Sequence, residues 1–338
     1  MKKLFIISNE SIFQDGTKYF CDNIDMKTTP EGLSDNFEIN IIARKSKKNR
    51  SHQIKLNKIS PSKNFFYFLI KIFKSFKNDE VKYLVISISP YTFFACIFLK
   101  IFKKKTIVFL RSDGYAEYKA ILGFIGPGIY HFMFSVISKF SNFISVRKYI
   151  LRGKKGSIVC PSQLDNTWSE NIKNINPNII KLLYVGRLKI EKGIFSLLNI
   201  IKNNNQIYLT IVGVEKEFKH NINQNNISFY EIENSPQNLV KHYDENNIFV
   251  LPSFTEGYPM VILEALSRFR PVIIFEDISH VVGSKIGIFI SERNSESFNN
   301  TLQHIQKNYI NIQQEMKKNK LPTKKDYIKN FTRIINSN

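Results

Sequence analysis

Short apolar runs separated by longer mixed segments recur along the first half of the chain. Runs of this length, rich in Ile, Val and Phe, are typical of buried strands. We predict strands at residues 3–8, 38–43, 83–89, 106–110 and 143–146, with one more short strand inside 151–170. The segments between them are long enough for crossover connections, so the pattern predicts a largely parallel sheet.

The second half of the chain repeats this alternation. Strands are predicted at residues 181–185, 206–212, 227–231, 248–251, 271–275 and 287–290, and helices at 295–318 and 325–335. Gly153, Gly156 and Pro161, followed by the NINPN sequence, predict a linker at about residues 161–178. The sequence therefore predicts an α/β protein with domains at residues 1–165 and 178–322 and a terminal helix at 323–338.

Length and composition agree with two domains. The chain has 338 residues, of which 43% are apolar, enough to fill two hydrophobic cores. Three widely spaced cysteines form no zinc or redox motif, so we expect a reducing, cytoplasmic setting. The N-terminal MKKLFIIS is interpreted as a strand rather than a signal peptide. No run reaches the roughly 18 uninterrupted apolar residues of a spanning helix, so we expect no integral membrane segment.

A strand, a turn and a helix are predicted within VLPSFTEGYPMVILEALSRFRPVII, residues 250–274. Pro259 suits the first turn of the helix, and Gly257 lets a ligand approach the backbone. The helix N-terminus then points toward Glu256 and favours an anionic diphosphate there. Glu264, between one and two turns into the helix, could accept hydrogen bonds from a ribose diol. The alternative is that Glu256 only stabilises the helix dipole and that Glu264 lies on a solvated face.

A second segment, LLYVGRLKIEKG at residues 182–193, predicts a buried strand that ends at Gly186. Arg187 and Lys192 would then lie near the carboxyl end of that strand, where open α/β sheets bind ligands. A guanidinium fork matches phosphate oxygens, and an ammonium group supplies a compact charge. The alternative is an exposed pair of cations beside an ordinary turn.

Together these segments resemble the nucleotide-binding domain of the retaining GT-B glycosyltransferases of family four. The residues that carry the resemblance are Gly186, Arg187, Leu188, Lys192, Gly193, Glu256, Gly257, Pro259, Glu264, Ala265, Pro271 and Val272. The likeness is clear from about residue 182 to residue 290 and fainter over the first half. It implies a GT-B fold, in which two Rossmann-like domains face each other across a cleft.

The resemblance also implies roles for individual residues. Arg187 and Lys192 would hold the donor diphosphate, Glu256 would contact the donor sugar, and Glu264 would bind the ribose. The donor-binding candidates are Gly186, Arg187, Lys192, Glu256, Gly257, Tyr258, Pro259, Glu264 and Gly16, and the catalytic candidates are Glu256, Arg187, Lys192 and Asp113. One departure follows the helix, where the family has a small residue and Gly. This chain has Arg268, Phe269 and Arg270 there, which leaves the end of the helix open.

Two loops of the first domain are further candidates. Gly16 lies where the family carries a glycine-rich loop near the donor, and Thr17 is a reasonable N-cap for a following helix. The alternative for Gly16 is an ordinary Asp-Gly turn. In LRSDGYAEY, Asp113 is predicted to contact the acceptor or the sugar, and the alternative is a structural pair with Arg111.

The formal net charge is +21, and most of it lies in the first half. Residues 1–175 contain 29 Lys and Arg against 13 Asp and Glu. Such an excess predicts attraction to a polyanion, either nucleic acid or an anionic membrane surface. No nucleic-acid-binding signature accompanies the basic residues, so we expect the membrane surface.

Two basic segments are the membrane or acceptor candidates. Residues 63–77 predict a Phe-rich amphipathic helix, with Phe65, Phe68, Leu69, Ile72, Phe73 and Phe76 at helical spacing. The lysines singled out are Lys63, Lys71, Lys74, Lys103, Lys104 and Lys105. The alternative is that the Phe stripe packs on the sheet and that the lysines are solvated.

The resemblance implies a retaining glycosyltransferase that moves a sugar from a nucleoside diphosphate to a lipid-linked oligosaccharide or surface glycan. No Asp-any-Asp triplet occurs, so we expect no metal and no cofactor beyond the nucleotide-sugar donor. The expected location is the inner face of the cytoplasmic membrane. The alternatives are a nucleotide-sugar 2-epimerase of the same fold and a basic nucleic-acid-binding protein.

Overall fold

The computed structural model describes residues 1–77, 80–173, 175, 177–214 and 226–338. Its contacts divide the chain into two compact units. The first unit is Met1–Pro161 together with Lys325–Asn338, and the second is Ser162–Lys324. The unit boundary therefore lies at the start of the predicted linker, and most of the terminal helix is counted with the first unit. Residues 174 and 176 of that linker lie outside the described residues.

The first unit is built on a mostly parallel sheet. Its strands are β1 (Lys2–Asp15), β2 (Lys18–Cys21), β3 (Phe37–Lys45), β4 (His52–Ile54), β5 (Ile59–Ser62), β6 (Val81–Ile86), β7 (Thr106–Leu110), β8 (Asn142–Ser145) and β9 (Gly156–Ile158). The parallel part runs β5-β3-β1-β6-β7-β8-β9. β2 and β4 extend it with antiparallel pairs beside the end of β1.

Helices cover the sheet of the first unit. They are α1 (Asp25–Leu33), α2 (Phe65–Ser75), α3 (Pro90–Ile101), α4 (Gly114–Leu122), α5 (Gly126–Ile137) and, from the end of the chain, α12 (Lys324–Ser337). The terminal helix packs its apolar side on this unit, where the rings of Phe331 and Phe109 lie 4.9 Å apart. Tyr327 and Thr29 also share a buried hydroxyl hydrogen bond of 3.1 Å.

The second unit is a parallel sheet in the order β12-β11-β10-β13-β14-β15. These strands are β10 (Ile180–Val185), β11 (Ile207–Val214), β12 (Ile227–Glu231), β13 (Ile248–Leu251), β14 (Val272–Phe275) and β15 (Ile288–Ser291). The helices are α6 (Asn166–Ser169), α7 (Ile194–Ile201), α8 (Pro236–Glu245), α9 (Met260–Ser267), α10 (Ser295–Lys307) and α11 (Tyr309–Met316). The predicted fold class, α/β with two Rossmann-like domains, is confirmed.

Two local predictions are wrong. Thr17 does not cap a helix, because Gly16 and Thr17 form the turn of the β1–β2 hairpin. Gly16 has a φ of +55°, as an Asp-Gly turn of this kind requires. The single helix predicted at residues 295–318 is two helices, which meet at Asn308.

One segment of the first unit is apolar enough to be compared with a membrane span, although it contains no uninterrupted run of about 18 apolar residues, as the sequence predicted. Among the described residues, Gly114–Ile137 is long and apolar enough by length and composition. Gly and Ser interrupt the run, but only Glu117 and Lys119 carry charge. It folds as a hairpin of α4 and α5 joined by a 3-10 turn at Gly123–Ile125. The rings of Tyr115 and Phe134 are 6.2 Å apart, whereas a continuous helix would separate these residues by about 28 Å.

Helix α2 has apolar side chains on two faces. Phe68 and Ile72 are buried against the unit, as the packing alternative predicted. Phe66 and Phe73 are exposed, although Phe73 was predicted to share the stripe of the buried residues. Lys63, Lys74, Lys103 and Lys105 are exposed, and Lys104 is half-buried above the ring of Phe76. The half-buried Lys71 donates to the Pro61 carbonyl at 2.6 Å.

The Arg-Phe-Arg departure ends α9 and ties the segment after Ser162 to the second unit. Phe269 adopts the left-handed conformation that Gly usually takes, with φ of +53°. The Arg270 N–H donates to the Ala265 carbonyl at 2.9 Å, and the Phe269 N–H donates to the Leu266 carbonyl at 3.1 Å, which completes a Schellman motif.

Arg268 is fully buried and forms a bidentate pair with Asp244, at 3.0 and 2.7 Å. Its guanidinium also donates to the carbonyls of Trp168, Glu170 and Asn171. Arg270 shares Asp244 at 3.4 Å. One carboxylate therefore balances two buried cations, and these cations hold the chain before β10 in place.

Replacing Asp244 should destabilise the second unit strongly. In Asp244→Ala, two buried guanidinium groups lose their counter-charge, so we expect a loss of about 3–5 kcal/mol in the free energy of unfolding, measured by urea titration. Glu315→Ala removes an exposed pair with Lys318 and should cost less than about 1 kcal/mol. Equal effects of the two substitutions would contradict this account.

Candidate functional site

The predicted site residues of the second unit converge where its strand order reverses. β10 lies between β11 and β13, and their connections run to opposite sides of β10 in the sheet. Crevices at such switch points, beyond the carboxyl ends of the strands, are where open α/β sheets bind ligands. β10 ends at Val185 just before Gly186, and β13 ends at Leu251 just before the turn that carries Glu256.

The turn after β10 is held by close backbone contacts. The Gly186 N–H donates to the Val212 carbonyl at 2.9 Å, and a side chain on Gly213 would meet the Gly186 carbonyl oxygen at 2.4 Å. The Tyr184 hydroxyl donates to the Arg187 carbonyl at 2.9 Å. Burial raises the pKa of Tyr184, so this hydroxyl keeps its proton.

The side chain of Arg187 is exposed at this turn. Within the part of the chain that the structure describes, its guanidinium makes no ion pair. It therefore presents an unpaired cation beside the switch point.

Gly193 brings the two strand ends together. It has a φ of +67°, and a side chain there would lie 1.9 Å from the Pro252 carbonyl oxygen. Only Gly fits this approach, because both the backbone conformation and the space exclude a Cβ atom. The contact places Lys192, the residue before it, against the turn that follows β13.

Lys192 and Glu256 form the central contact of the site. The Lys192 Nζ lies 2.7 Å from Glu256 Oε1, and the Ser253 hydroxyl donates to the same oxygen at 2.7 Å. The side chains of Lys192 and Glu256 are 25% and 11% exposed. An ammonium group has three N–H bonds, so Lys192 can donate to Glu256 and still donate to an anionic ligand.

Arg293, which the sequence analysis did not identify, holds the turn after β13 in place. Its guanidinium donates to the Pro252 carbonyl at 2.9 Å and pairs with Asp277 at 2.6 Å. It also stacks between the rings of Phe254 and Phe275, at 4.0 and 4.4 Å. Arg293 belongs to no local motif, and only the order of the strands brings it here.

Two further residues that sequence reasoning missed hold Glu256 itself. The Ser253 hydroxyl hydrogen-bonds to its carboxylate, and the His280 Nε2 lies 2.9 Å from its carbonyl oxygen. Ser253 lies inside the motif that carries Glu256, whereas His280 lies in the 3-10 turn after β14. Both ends of Glu256 are therefore held.

The N-terminus of α9 follows the Glu256 turn directly. Pro259 is the N-cap rather than a residue of the first turn, so the helix begins one residue later than predicted, at Met260. Among the described residues no side chain caps this end, and the Ile262 N–H donates back to the Pro259 carbonyl at 3.3 Å. The N–H groups that precede Ile262 and the positive end of the helix dipole are therefore the groups available for an anion. Gly257 and Tyr258 are half-buried in the connection to the helix.

Glu264 lies on the buried side of α9 and is 7% exposed. The Tyr243 hydroxyl donates to its Oε2 at 2.8 Å. Burial raises the pKa of Glu264 from 4.5 to about 7, and the hydrogen bond from Tyr243 opposes that rise. The solvated-face alternative for Glu264 is therefore wrong, and the predicted ribose contact stays a prediction.

Gly16 and Asp113, the remaining site candidates, belong to the first unit. The Asp113 carboxylate caps α4 by accepting from the Tyr115 N–H at 3.0 Å, and it pairs with Arg152 at 2.7 Å. The alternative partner, Arg111, instead faces Asp25 at 4.0 Å. The predicted contacts of Gly16 with the donor and of Asp113 with the acceptor or sugar stay predictions.

Comparisons with known proteins agree with this geometry. The family model for glycosyl transferases group 1 matches residues 166–321, all within the second unit. No match was found among curated protein sequences.

Solved structures are similar to the whole chain. Sucrose-phosphate synthase from Thermosynechococcus elongatus superposes with a TM-score of 0.69, 14% identity and 99% of each chain covered. WaaG, a glycosyltransferase involved in lipopolysaccharide biosynthesis, gives a TM-score of 0.67 and 12% identity, over 99% of this chain and 100% of that one. Anabaena Alr3699/HepE, solved in complex with UDP, gives a TM-score of 0.63 and 12% identity, over 100% of both chains.

Gly193→Ala should disrupt the site. The added Cβ would lie 1.9 Å from the Pro252 oxygen, so the turn that carries Glu256 would have to shift. The positive φ of the alanine would also cost about 1–3 kcal/mol of backbone strain. Gly16→Ala has a similar positive φ but no neighbour within 4 Å, so it should show the strain alone. Thermal melting compares the two variants, and an equal loss would contradict the close approach at Gly193.

Glu264 should make stability depend on pH. Its folded pKa of about 7 exceeds 4.5, so the folded protein holds an extra proton between these values and loses stability as pH rises through them. Glu264→Gln removes this pH dependence. The melting temperature of the variant minus that of the original protein should therefore increase as the pH is raised from 5 to 8. Tyr243→Phe removes the opposing hydrogen bond and should move the window upward. A melting-temperature difference that is constant with pH would contradict the assignment.

Proposed function

We propose that the chain is a GT-B glycosyltransferase, because residues 166–321 match the family model for glycosyl transferases group 1 and the whole chain has the fold of solved glycosyltransferases. We further propose that it transfers a sugar from a nucleoside diphosphate to a lipid-linked or surface polysaccharide acceptor, with retention of anomeric configuration. The observation that carries the proposal is the Lys192–Glu256 contact at the switch point, next to the uncapped start of α9. A cation, free N–H groups and a fixed carboxylate meet there. This set matches a diphosphate joined to a sugar.

In the proposed reaction, the bond between the anomeric carbon and the diphosphate oxygen breaks and an acceptor oxygen takes its place. Negative charge grows on the leaving diphosphate. Lys192, Arg187 and the first N–H groups of α9 stabilise that charge in a fixed arrangement, which is often worth several kcal/mol. These groups perform the stabilisation without a metal or another cofactor.

Glu256 has a positioning part in this scheme. Its Oε1 already accepts from Lys192 and Ser253, and its backbone is held by His280. A carboxylate held at both ends is suited to orient sugar hydroxyl groups, so we assign it that role rather than attack on carbon. Glu264 is proposed to bind the ribose from the buried side of α9.

The acceptor and location follow from charge. The first half of the chain is strongly basic, and Lys63, Lys74, Lys103 and Lys105 are exposed. Each lysine near an anionic leaflet contributes about 1 kcal/mol to binding. We therefore place the enzyme on the inner face of the cytoplasmic membrane, where a lipid-linked acceptor is available. The structural similarity to WaaG, a glycosyltransferase involved in lipopolysaccharide biosynthesis, supports this class of acceptor.

The donor reaction tests the proposal. Purified protein incubated with UDP-, GDP- and ADP-sugars and a membrane lipid extract should release nucleotide from one donor class. Lys192→Ala and Glu256→Ala should each lower the rate by about 100-fold or more, because each removes a central contact of the site. Lys189→Ala, which removes an exposed lysine paired with Glu191 on the same turn, is the matched control and should stay near the original rate.

Full nucleotide release in both site variants would refute the assignment. An epimerised sugar formed without acceptor would favour the epimerase alternative. Salt-sensitive binding to duplex or single-stranded nucleic acid, with no response to nucleotide sugars, would favour the nucleic-acid-binding alternative.

A further inference from the structure

Large apolar side chains on the helices of the first unit are exposed to solvent. We define the apolar face by six of them, which are Phe66 and Phe73 of α2, Phe94 of α3, and Ile121, Phe124 and Phe132 of the α4–α5 hairpin. Each is between 48% and 93% exposed, and Phe124 at the turn of the hairpin is the most exposed. Single exposed apolar residues are ordinary, but a group of this size on neighbouring helices marks a binding surface.

Ring contacts connect three side chains of the apolar face, Phe66, Phe94 and Phe132, across α2, α3 and α5. Ring contacts link Phe132 to Phe93 at 5.8 Å, Phe93 to Phe94 at 5.3 Å, and Phe94 to Phe65 at 5.4 Å. Phe65 in turn contacts Phe66 at 6.0 Å. These three exposed rings therefore belong to one packed aromatic layer, which holds them in place.

The hairpin is shaped to enter a membrane without crossing it. Gly114–Ile137 is apolar enough to span, yet only 28% of its most apolar stretch is buried in the protein. α5 has 12 residues and is about 18 Å long, whereas the hydrocarbon core of a bilayer is about 30 Å thick. Because α4 folds back on α5, the turn at Phe124 can reach into one leaflet only.

Charge identifies the partner. Between residues 81 and 164 there are 13 Lys and Arg but only two acidic residues, Asp113 and Glu117. Asp113 is already paired with Arg152. Helices α2, α3 and α5 contain no acidic residue at all. A second copy of the chain would bring these like charges together, and nucleic acid would leave the Phe and Ile side chains uncovered. An anionic bilayer meets both the charge and the apolar surface.

We propose that the apolar face inserts into one leaflet of an anionic bilayer, with the Phe124 turn deepest and the surrounding lysines at the headgroups. The Nζ atoms of Lys100 and Lys104 lie over the rings of Phe140 and Phe76, at 5.8 and 5.4 Å from the ring centroids, as expected of lysines whose apolar stems run along the protein. The inference rests on the proposed membrane location. In this inference the membrane contact is made by insertion of the apolar face as well as by electrostatic attraction of the lysines.

Vesicle binding with the full chain tests insertion. Flotation with vesicles of phosphatidylcholine mixed with phosphatidylglycerol should recover the protein, and part of this binding should survive high salt. The double variant Phe124→Ser and Phe132→Ser should bind at least about tenfold more weakly, because two side chains lose their burial. Ile310→Ser, at a comparably exposed apolar position on α11 of the second unit, should bind like the original protein.

A fluorescent variant reports the depth directly. The chain has one tryptophan, Trp168, which is buried, so Phe124→Trp adds a separable signal. Its emission should shift to shorter wavelength on vesicles and should be quenched by lipids brominated on their acyl chains. Emission that stays unchanged on bound vesicles, or binding that salt abolishes completely, would refute insertion.

Two other outcomes would also overturn the inference. The first is that the protein binds no vesicle. The second is that the original protein is a dimer and the double Ser variant is a monomer, because a second copy of the chain would then cover the apolar face. Nucleotide-sugar binding, followed by melting temperature, should be the same in the double Ser variant and the original protein. Vesicle binding without any nucleotide-sugar response would therefore refute the proposed function and leave the insertion intact.

Discussion

The contact between Lys192 and Glu256 is the interaction on which the candidate site of the second unit depends. It requires that Gly193 lets the turn after β10 approach the Pro252 carbonyl, and that Arg293 holds the same carbonyl by a hydrogen bond. Each support comes from a different strand end. A parallel sheet with its order reversed at β10 is therefore the scaffold that the contact requires.

The buried charges of the same unit separate into two kinds. Arg268, Arg270 and Asp244 are buried structural groups that hold the chain before β10 in place. Lys192 and Glu256 are paired but partly open, and the exposed Arg187 belongs to the same site. The charged groups that solvent cannot reach stabilise the scaffold, whereas the partly exposed charged groups can still interact with a ligand.

The sequence predicted the parts of the fold that depend on local pattern. The strand Ile248–Leu251 was predicted at its observed ends because it is a short, purely apolar run that is buried inside the parallel sheet. The extension of β1 into a hairpin with β2 was missed, since residues 9–15 are mostly polar and Gly16 and Thr17 were interpreted as the approach to a helix rather than as a hairpin turn. The α4–α5 hairpin was missed because Gly and Ser interrupt its apolar run.

The candidate site also contains residues that the sequence predicted and residues that only the structure identified. The motif residues that meet, Lys192 and Glu256, were expected on one edge because both follow parallel strands. Arg293 and His280 could not be found in this way, because they belong to no motif and reach the site only through the strand order. The second apolar face of α2 was missed for a related reason, since helical spacing identifies the buried face and does not show that the opposite face is apolar too.

The most direct measurement of the central claim is a crystal structure of the chain with a nucleoside diphosphate. The account predicts that a β-phosphate oxygen lies within about 3.2 Å of the Lys192 Nζ and of a backbone N–H in the first turn of α9. A diphosphate bound away from the carboxyl ends of β10 and β13 would contradict it.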